Sequence, residues 1–261
     1  MKLQLLGIDS NPKTIKGQKQ GYVTAILYLS PSDSSGAEFC PLAKLADCKT
    51  DCLTFAGRGG MSKGNATFIA ESGTELPDNT VQRARLRRSE LFNNDRNAFM
   101  AQLIREIEWA QAYVARLSAK LNKDLKLVVR LNGTSDIRWE SIAIDQYPHI
   151  FARFSETQFY DYTKIPNRRI AGIKNYHLTF SYSAAPAFAP IVVKALQHYG
   201  ESVSFAAVFK DAMPEYFLGR DVINGDESDL RFLDRAGVVV GLKAKGRART
   251  SLSQFAVRAA A

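Results

Sequence analysis

The sequence lacks any apolar run near the roughly 18 residues that a membrane-crossing helix needs, so no spanning segment is expected. It has only three histidines, His149, His177 and His198, and neither an H-x-x-H nor an H-E-x-x-H pattern, which weakens the case for a zinc-dependent hydrolase. The calcium-loop pattern D-x-[DN]-x-[DN]-G is absent from the acidic stretch Asp226, Glu227 and Asp229 that precedes Arg231 and Asp234. No repeat, low-complexity tract or linker interrupts the 261 residues, so one domain over 1–261 is expected. Gly7, Asp9 and Pro12 arrive before a signal-peptide core could form, and a cytoplasmic location follows by default.

Cysteine is as scarce as histidine, but its three copies are not scattered. Cys40, Cys48 and Cys52 fall within thirteen positions, and three thiols cannot all pair within one chain. C-x7-C-x3-C therefore reads as a metal or cluster site. It differs from both the C-x3-C-x2-C radical pattern and the zinc-ribbon pattern. Three thiolates could hold three irons of a [4Fe–4S] cluster and leave the fourth open for a substrate or S-adenosylmethionine. They could equally bind Zn²⁺ with a histidine as fourth ligand, or stay free of metal. Gly57, Arg58, Gly59 and Gly60 follow closely and would give flexible backbone there.

Hydrophobic residues make up 46% and charged residues 23%, which excludes wholesale disorder, a collagen and a heptad rod. A net charge of +9, from 35 Lys and Arg against 26 Asp and Glu, points to an anionic partner such as a nucleic acid or nucleotide. Two basic stretches carry the expectation: Arg83, Arg85, Arg87 and Arg88, then Lys243, Lys245, Arg247 and Arg249. An exposed, solvated face is the plainer reading of each.

The stretch 21–30 is rich in β-branched and aromatic residues and reads as a strand. Residues 31–79 contain six glycines and all the cysteines, with little periodicity, and read as a long loop. Helices are expected over 81–92 and 95–121. In the second, Phe99, Leu103, Ile107, Ala110, Val114, Leu117 and Leu121 recur at three- and four-residue steps, with Asp95 as N-cap. Short β-rich runs follow at 125–131, 156–162, 176–181, 203–209, 221–223 and 238–242, with a helix over 188–199. This alternation predicts an α/β fold, a partial or complete (β/α) barrel with a mostly parallel sheet and a cysteine-bearing N-terminal loop.

The polar residues concentrate where these strands end. Asn132, Gly133, Thr134, Ser135 and Asp136 follow one, and Asp161 and Lys164 close the next. In parallel α/β folds that edge carries the site. Asn132, Thr134, Ser135 and Asp136 are candidate cofactor-binding residues, though Ser135 and Asp136 could simply cap a helix. Asp161, Lys164 and His177 are candidate catalytic groups, beside the plainer readings of an ion pair and a satisfied core histidine. Arg130, charged within a strand, needs a partner, and Asp136 or Asp161 could supply it.

The stretches FCPLAKLADCKTDCLTFAGRGG, VQRARLRRSELF, RLNGTSDIRWE, FYDYTK, NYHLTFS and VINGDESDLRFLDRAGVVVGLKAKG resemble the phage gene product eighty-eight family, in the same order from about residue 12 to 255. That resemblance implies a phage, prophage or plasmid source and a host-cytoplasmic setting, but no activity. A fainter one is to radical S-adenosylmethionine proteins, whose cluster loop precedes a strand ending in a motif akin to NGTSD. It implies that Cys40, Cys48 and Cys52 ligate the cluster, with Asn132 to Asp136 near the cosubstrate. The leading expectation is an iron–sulfur enzyme or degenerate relative acting on a nucleotide or nucleic acid. The alternative is a non-enzymatic nucleic-acid-binding or host-interaction protein with structural cysteines.

Overall fold

A computed structural model describes residues 3–9 and 12–258. Its strands are β1 (Leu6–Ile8), β2 (Tyr22–Leu27), β3 (Thr67–Ile69), β4 (Glu75–Pro77), β5 (Lys126–Arg130) and β6 (Gln158–Thr163), then β7 (Tyr176–Ser181), β8 (Phe205–Phe209), β9 (Tyr216–Phe217), β10 (Arg220–Asn224) and β11 (Val239–Lys243). The helices are α1 (Pro12–Gly17), α2 (Thr80–Asn94), α3 (Arg96–Leu121), α4 (Ile150–Arg153) and α5 (Ala189–Tyr199). Nine strands form one sheet in the order β1-β2-β5-β6-β7-β8-β11-β10-β9. The seven inner strands run parallel, and only β1 and β9 are antiparallel to their neighbours.

Spatial order follows chain order from β2 to β8, so each crossover carries the chain one place along the sheet. α3 and α5 consequently pack on the same face, since parallel crossovers share one hand. A closed barrel does not form: β1 and β9 are edges that do not pair with each other.

α3 is long because its sequence is both capped and amphipathic. The Asp95 carboxylate accepts from the Ala98 amide at 2.9 Å, and Asn122 ends the helix in the left-handed region, φ 49°. Phe99, Met100, Leu103, Ile107, Ala110 and Val114 are buried against Val23, Ala25 and Leu27 of β2 and Leu127 and Val129 of β5. Each large side chain so buried contributes about 1.5–3 kcal/mol. The opposite sheet face is covered by other segments. There Tyr22, Val128 and Tyr160 pack under Leu230 and Phe232 from the β10–β11 connection.

The stretch 31–79 is not all loop. It holds three 3-10 turns and the β3–β4 hairpin, whose Ala70 and Leu76 bury with Leu86 of α2 in a satellite core. Three-residue strands are too short for their alternation to register in sequence, and Thr67 and Ile69 are exposed. The expected strands and the three main helices otherwise lie within a few residues of their predicted bounds.

Candidate functional site

The chain leaves β2 at Tyr28 and enters the cysteine stretch, which lies outside helix and strand at all three thiols. Opposite it stands the turn after β5. Gly133 lets that turn press onto the end of β2: an added Cβ would stand 2.6 Å from the Leu27 carbonyl oxygen and 2.6 Å from the Tyr28 ring. The Asp136 amide donates to the Phe39 carbonyl at 2.7 Å, and the Cys40 thiol donates to the Thr134 carbonyl at 3.7 Å. The turn and the cysteine stretch are thus tied together at the C-terminal edge of the sheet.

The thiols are free and half-buried. Burial raises all three. Cys40 is pushed well above its ordinary value by burial first, then by Cys52, Asp136 and Cys48. Burial pushes Cys52 up to about 11, and Cys48 adds to that. Cys48 is raised by burial and eased by Lys164. Burial lowers the Lys164 ammonium, which the three thiols and Asp136 pull back. Lys164 Nζ donates to Ser181 Oγ at 2.7 Å and lies 4.6 Å from the Phe255 ring centre. Arg85 is the second cation beside Cys52. It reaches from α2 to Thr54 Oγ1 at 2.7 Å, and its buried Nε has no hydrogen-bond partner.

The side chains of the NGTSD turn are consumed internally. Asn132 Oδ1 accepts from Ser135 Oγ, the Ile137 amide and Trp139 Nε1, at 3.0, 2.9 and 3.1 Å. Thr134 Oγ1 donates to the Leu29 carbonyl at 2.5 Å. Asp136 accepts from Thr163 Oγ1 at 2.8 Å, the Lys164 amide at 2.7 Å and Arg168 at 3.3 Å. These four residues shape the edge through their backbone and hydrogen bonds. Their side chains do not point free into it.

Asp161, Lys164 and His177 do not share an opening, contrary to the expectation. Asp161 lies on the helix-covered face, accepting from the Asn132 amide at 2.8 Å and Tyr176 OH at 3.1 Å. Burial pushes its carboxyl up to about 7, offset by Arg130 and these donors. His177 stands beside Tyr160 in the register, on the opposite face, 3.4 Å from Thr179 Oγ1. Burial and then Arg231 push it down to about 4, so it is neutral. Strand alternation puts adjacent-register side chains on opposite faces. Lys164 escapes this because it follows the strand. Lys243 is exposed, and its amide donates to Asp226 at 2.9 Å. Arg130 pairs with Asp229 rather than Asp136 or Asp161.

The histidines are likewise employed elsewhere. His149 Nδ1 caps α4 by accepting from the Ala152 amide at 3.0 Å, and His198 Nε2 lies 3.0 Å from the Arg168 carbonyl oxygen. Among the described residues no group of three or more His, Cys, Asp or Glu is arranged to hold a metal ion.

The basic stretches divide. Arg85 is buried, and Arg88 is spent on the Gln4 and Tyr28 carbonyls at 2.6 and 3.3 Å. Both were expected to be available to phosphate, but their α2 face turns inward. Arg83 pairs with Asp78 at 2.8 Å and Lys245 with Asp226 at 2.7 Å. Arg87, Arg247 and Arg249 are exposed. The reading of the sequence did not single out Arg168, fully buried with Glu140 at 2.6 Å, because nothing in its own stretch names a partner 28 positions away.

The model of one family, Gene product 88, matches residues 4–259. The chain belongs to that family. Its match takes in the cysteine stretch, the NGTSD turn and Lys164, so the arrangement above lies wholly within Gene product 88 sequence. No curated protein and no solved structure matches the chain. No helix among the described residues is long and apolar enough to cross a membrane.

Proposed function

We propose that this Gene product 88 protein is an iron–sulfur enzyme of the radical S-adenosylmethionine kind, with Cys40, Cys48 and Cys52 as the cluster ligands. One observation carries the reading: three free thiols fall in one stretch that the Asp136–Phe39 and Cys40–Thr134 hydrogen bonds tie to the C-terminal edge of a parallel sheet, where Asp136 also holds Lys164. The donor set fits a cubane better than zinc. Zinc would need a fourth protein ligand, and the three histidines are engaged elsewhere. Three thiolates are the ligand set of a [4Fe–4S] cluster that keeps one iron open. Bound there, the cluster would supply one-electron chemistry, with S-adenosylmethionine on its open iron as the class of co-reactant.

The chain's own residues suit that role. Lys164 and Arg85 put two positive charges beside thiolates that would otherwise be buried together. Asp136 holds the Lys164 backbone in place, and the Phe188 and Phe255 rings shield its ammonium from water. Thr134 positions Cys40 through its carbonyl. The order β2-β5-β6-β7-β8, with α3 and α5 on one face and the cysteine stretch after the first parallel strand, supports reading the sheet as a partial barrel.

Anaerobic reconstitution with iron and sulfide tests this. The expected outcome is about four irons and matching sulfide per chain, with visible absorbance that disappears in Cys40→Ala, Cys48→Ala or Cys52→Ala. S-adenosylmethionine added to the reduced protein should perturb the electron paramagnetic resonance spectrum. Zinc without sulfide, or a folded chain that retains neither metal, would overturn the proposal.

A further inference from the structure

Two arginines from distant parts of the chain stand on neighbouring rings. The Arg83 guanidinium lies 4.4 Å from the ring centre of Phe68, and that of Arg247 lies 4.0 Å from Phe55. Phe55 and Phe68 pack on the same small cluster of Ala70, Leu76 and Leu86. The two basic stretches therefore meet over one patch. Gly246 fits tightly here, since an added Cβ would stand 3.0 Å from the Phe55 carbonyl oxygen. The segment between the stretches, 53–59, directly follows Cys52, so the patch borders the cysteine site.

Cations outnumber carboxylates over the patch, where Glu75 of β4 is held by Thr67. Arg58, Lys63, Arg87 and Arg249 are exposed and join no ion pair among the described residues. No acidic residue occurs between Cys52 and Ala70. Asp78 is the carboxylate against Arg83, as Asp226 is against Lys245, so the four unpaired cations carry the excess positive charge. A guanidinium laid on a ring keeps its N–H edge outward in a fixed plane, the geometry that phosphate oxygens accept. Leu53 and Met61 are 56% and 70% exposed among these cations. Cations interleaved with exposed apolar surface suit a strand whose bases are free, rather than a duplex whose bases are stacked away.

We infer that this patch binds the backbone of a single-stranded nucleic acid and leads it to the cysteine site, which makes nucleic acid the substrate class. The second half of that statement rests on the cluster reading; the binding itself does not.

The test is a fluorescence-anisotropy titration of the full chain with labelled single-stranded DNA and RNA oligonucleotides longer than about 16 nucleotides. Four phosphate contacts, from Arg58, Arg87, Arg247 and Arg249, predict a Kd that weakens about 50-fold between roughly 50 and 200 mM salt. Arg58→Glu, Arg87→Glu and Arg249→Glu together should weaken low-salt binding by about 100-fold. They should leave the circular-dichroism melt and the iron and sulfide content unchanged. Arg105→Glu with Arg116→Glu, on exposed α3 positions, should alter Kd by less than about twofold. Absence of binding at low salt would overturn the inference, as would equal losses from both charge reversals, which would mark diffuse attraction. Equally tight binding of duplex would overturn the single-strand assignment. If the oligonucleotide binds as stated but no cluster assembles, the cluster reading fails alone.

Discussion

Arg130 Nη1 lies 3.3 Å from Asp229 Oδ2, joining the middle of the sheet to the connection that covers the face opposite α3 and α5. Tyr160 OH donates to the same oxygen at 3.3 Å, and the Tyr162 ring lies under the guanidinium at 4.8 Å. Both charged side chains are largely buried, so removing one strands the other. Asp229→Ala should cost about 3–5 kcal/mol, read as a shift in the urea midpoint at constant slope. Replacing both, Arg130→Met with Asp229→Ala, should recover a large part of that loss. A double variant as unstable as the single one would mean that the pair itself, rather than the stranded charge, sets the cost.

Asp161 gives the stability a pH dependence. Burial raises its carboxyl to about 7 from an ordinary value near 3.8. A raised group contributes stability that is complete below the unfolded value and is lost as pH rises through the folded one. The wild type should therefore lose stability relative to Asp161→Asn between about pH 4 and 7, by an amount on the order of 4 kcal/mol. Asparagine can still accept from the Asn132 amide and donate to Tyr176 OH, so the comparison isolates the charge. Parallel stability-against-pH curves for the two proteins would show that Asp161 does not titrate in that window.

The long elements were legible because each repeats its pattern. α3 offers six buried positions at helical spacing plus a capping Asp95, and β8, FAAVF, is the apolar run of a strand covered on both faces. The cysteine stretch was legible only as an anomaly of spacing. Asp161 and His177 were misgrouped, because sequence places both near strand ends while the pleat sends them to opposite faces. Arg130's partner was invisible, since Asp229 is 99 positions away and reaches it only through the order in which β10 and β11 fold back. Arg85 and Arg88 looked like surface charge because nothing in a run of arginines records which of them the helix turns toward Thr54 and Tyr28.

The histidines separate the two metal chemistries first read from the cysteines. His149, His177 and His198 are engaged with α4, Thr179 and the Arg168 carbonyl, respectively. A chain carrying His149→Asn, His177→Gln and His198→Gln should retain the iron and sulfide of the parent after reconstitution. Asparagine preserves the helix cap at position 149. A proportionate loss of metal on removing any one histidine would return that residue to the ligand set.

Gly133 is the most sensitive position in the backbone of the site. A methyl there meets the Leu27 carbonyl oxygen and the Tyr28 ring at 2.6 Å and Ile26 Cγ2 at 2.8 Å. The carbonyl belongs to the ladder that pairs the ends of β2 and β5, accepting from the Gly133 amide at 3.0 Å, so it cannot retreat without breaking that bond. Overpacking of this kind costs about 1–3 kcal/mol. The relief open to Gly133→Ala is for the turn to lift, and lifting it moves the Thr134 carbonyl away from Cys40. Two readouts should therefore change together: a lower melting temperature, and weaker retention of iron on dilution into chelator. Ala110→Gly serves as a control, a destabilising change at a buried position of α3. If that control, matched in melting temperature, loses iron as readily as Gly133→Ala, the turn supports the fold alone and has no separate hold on Cys40.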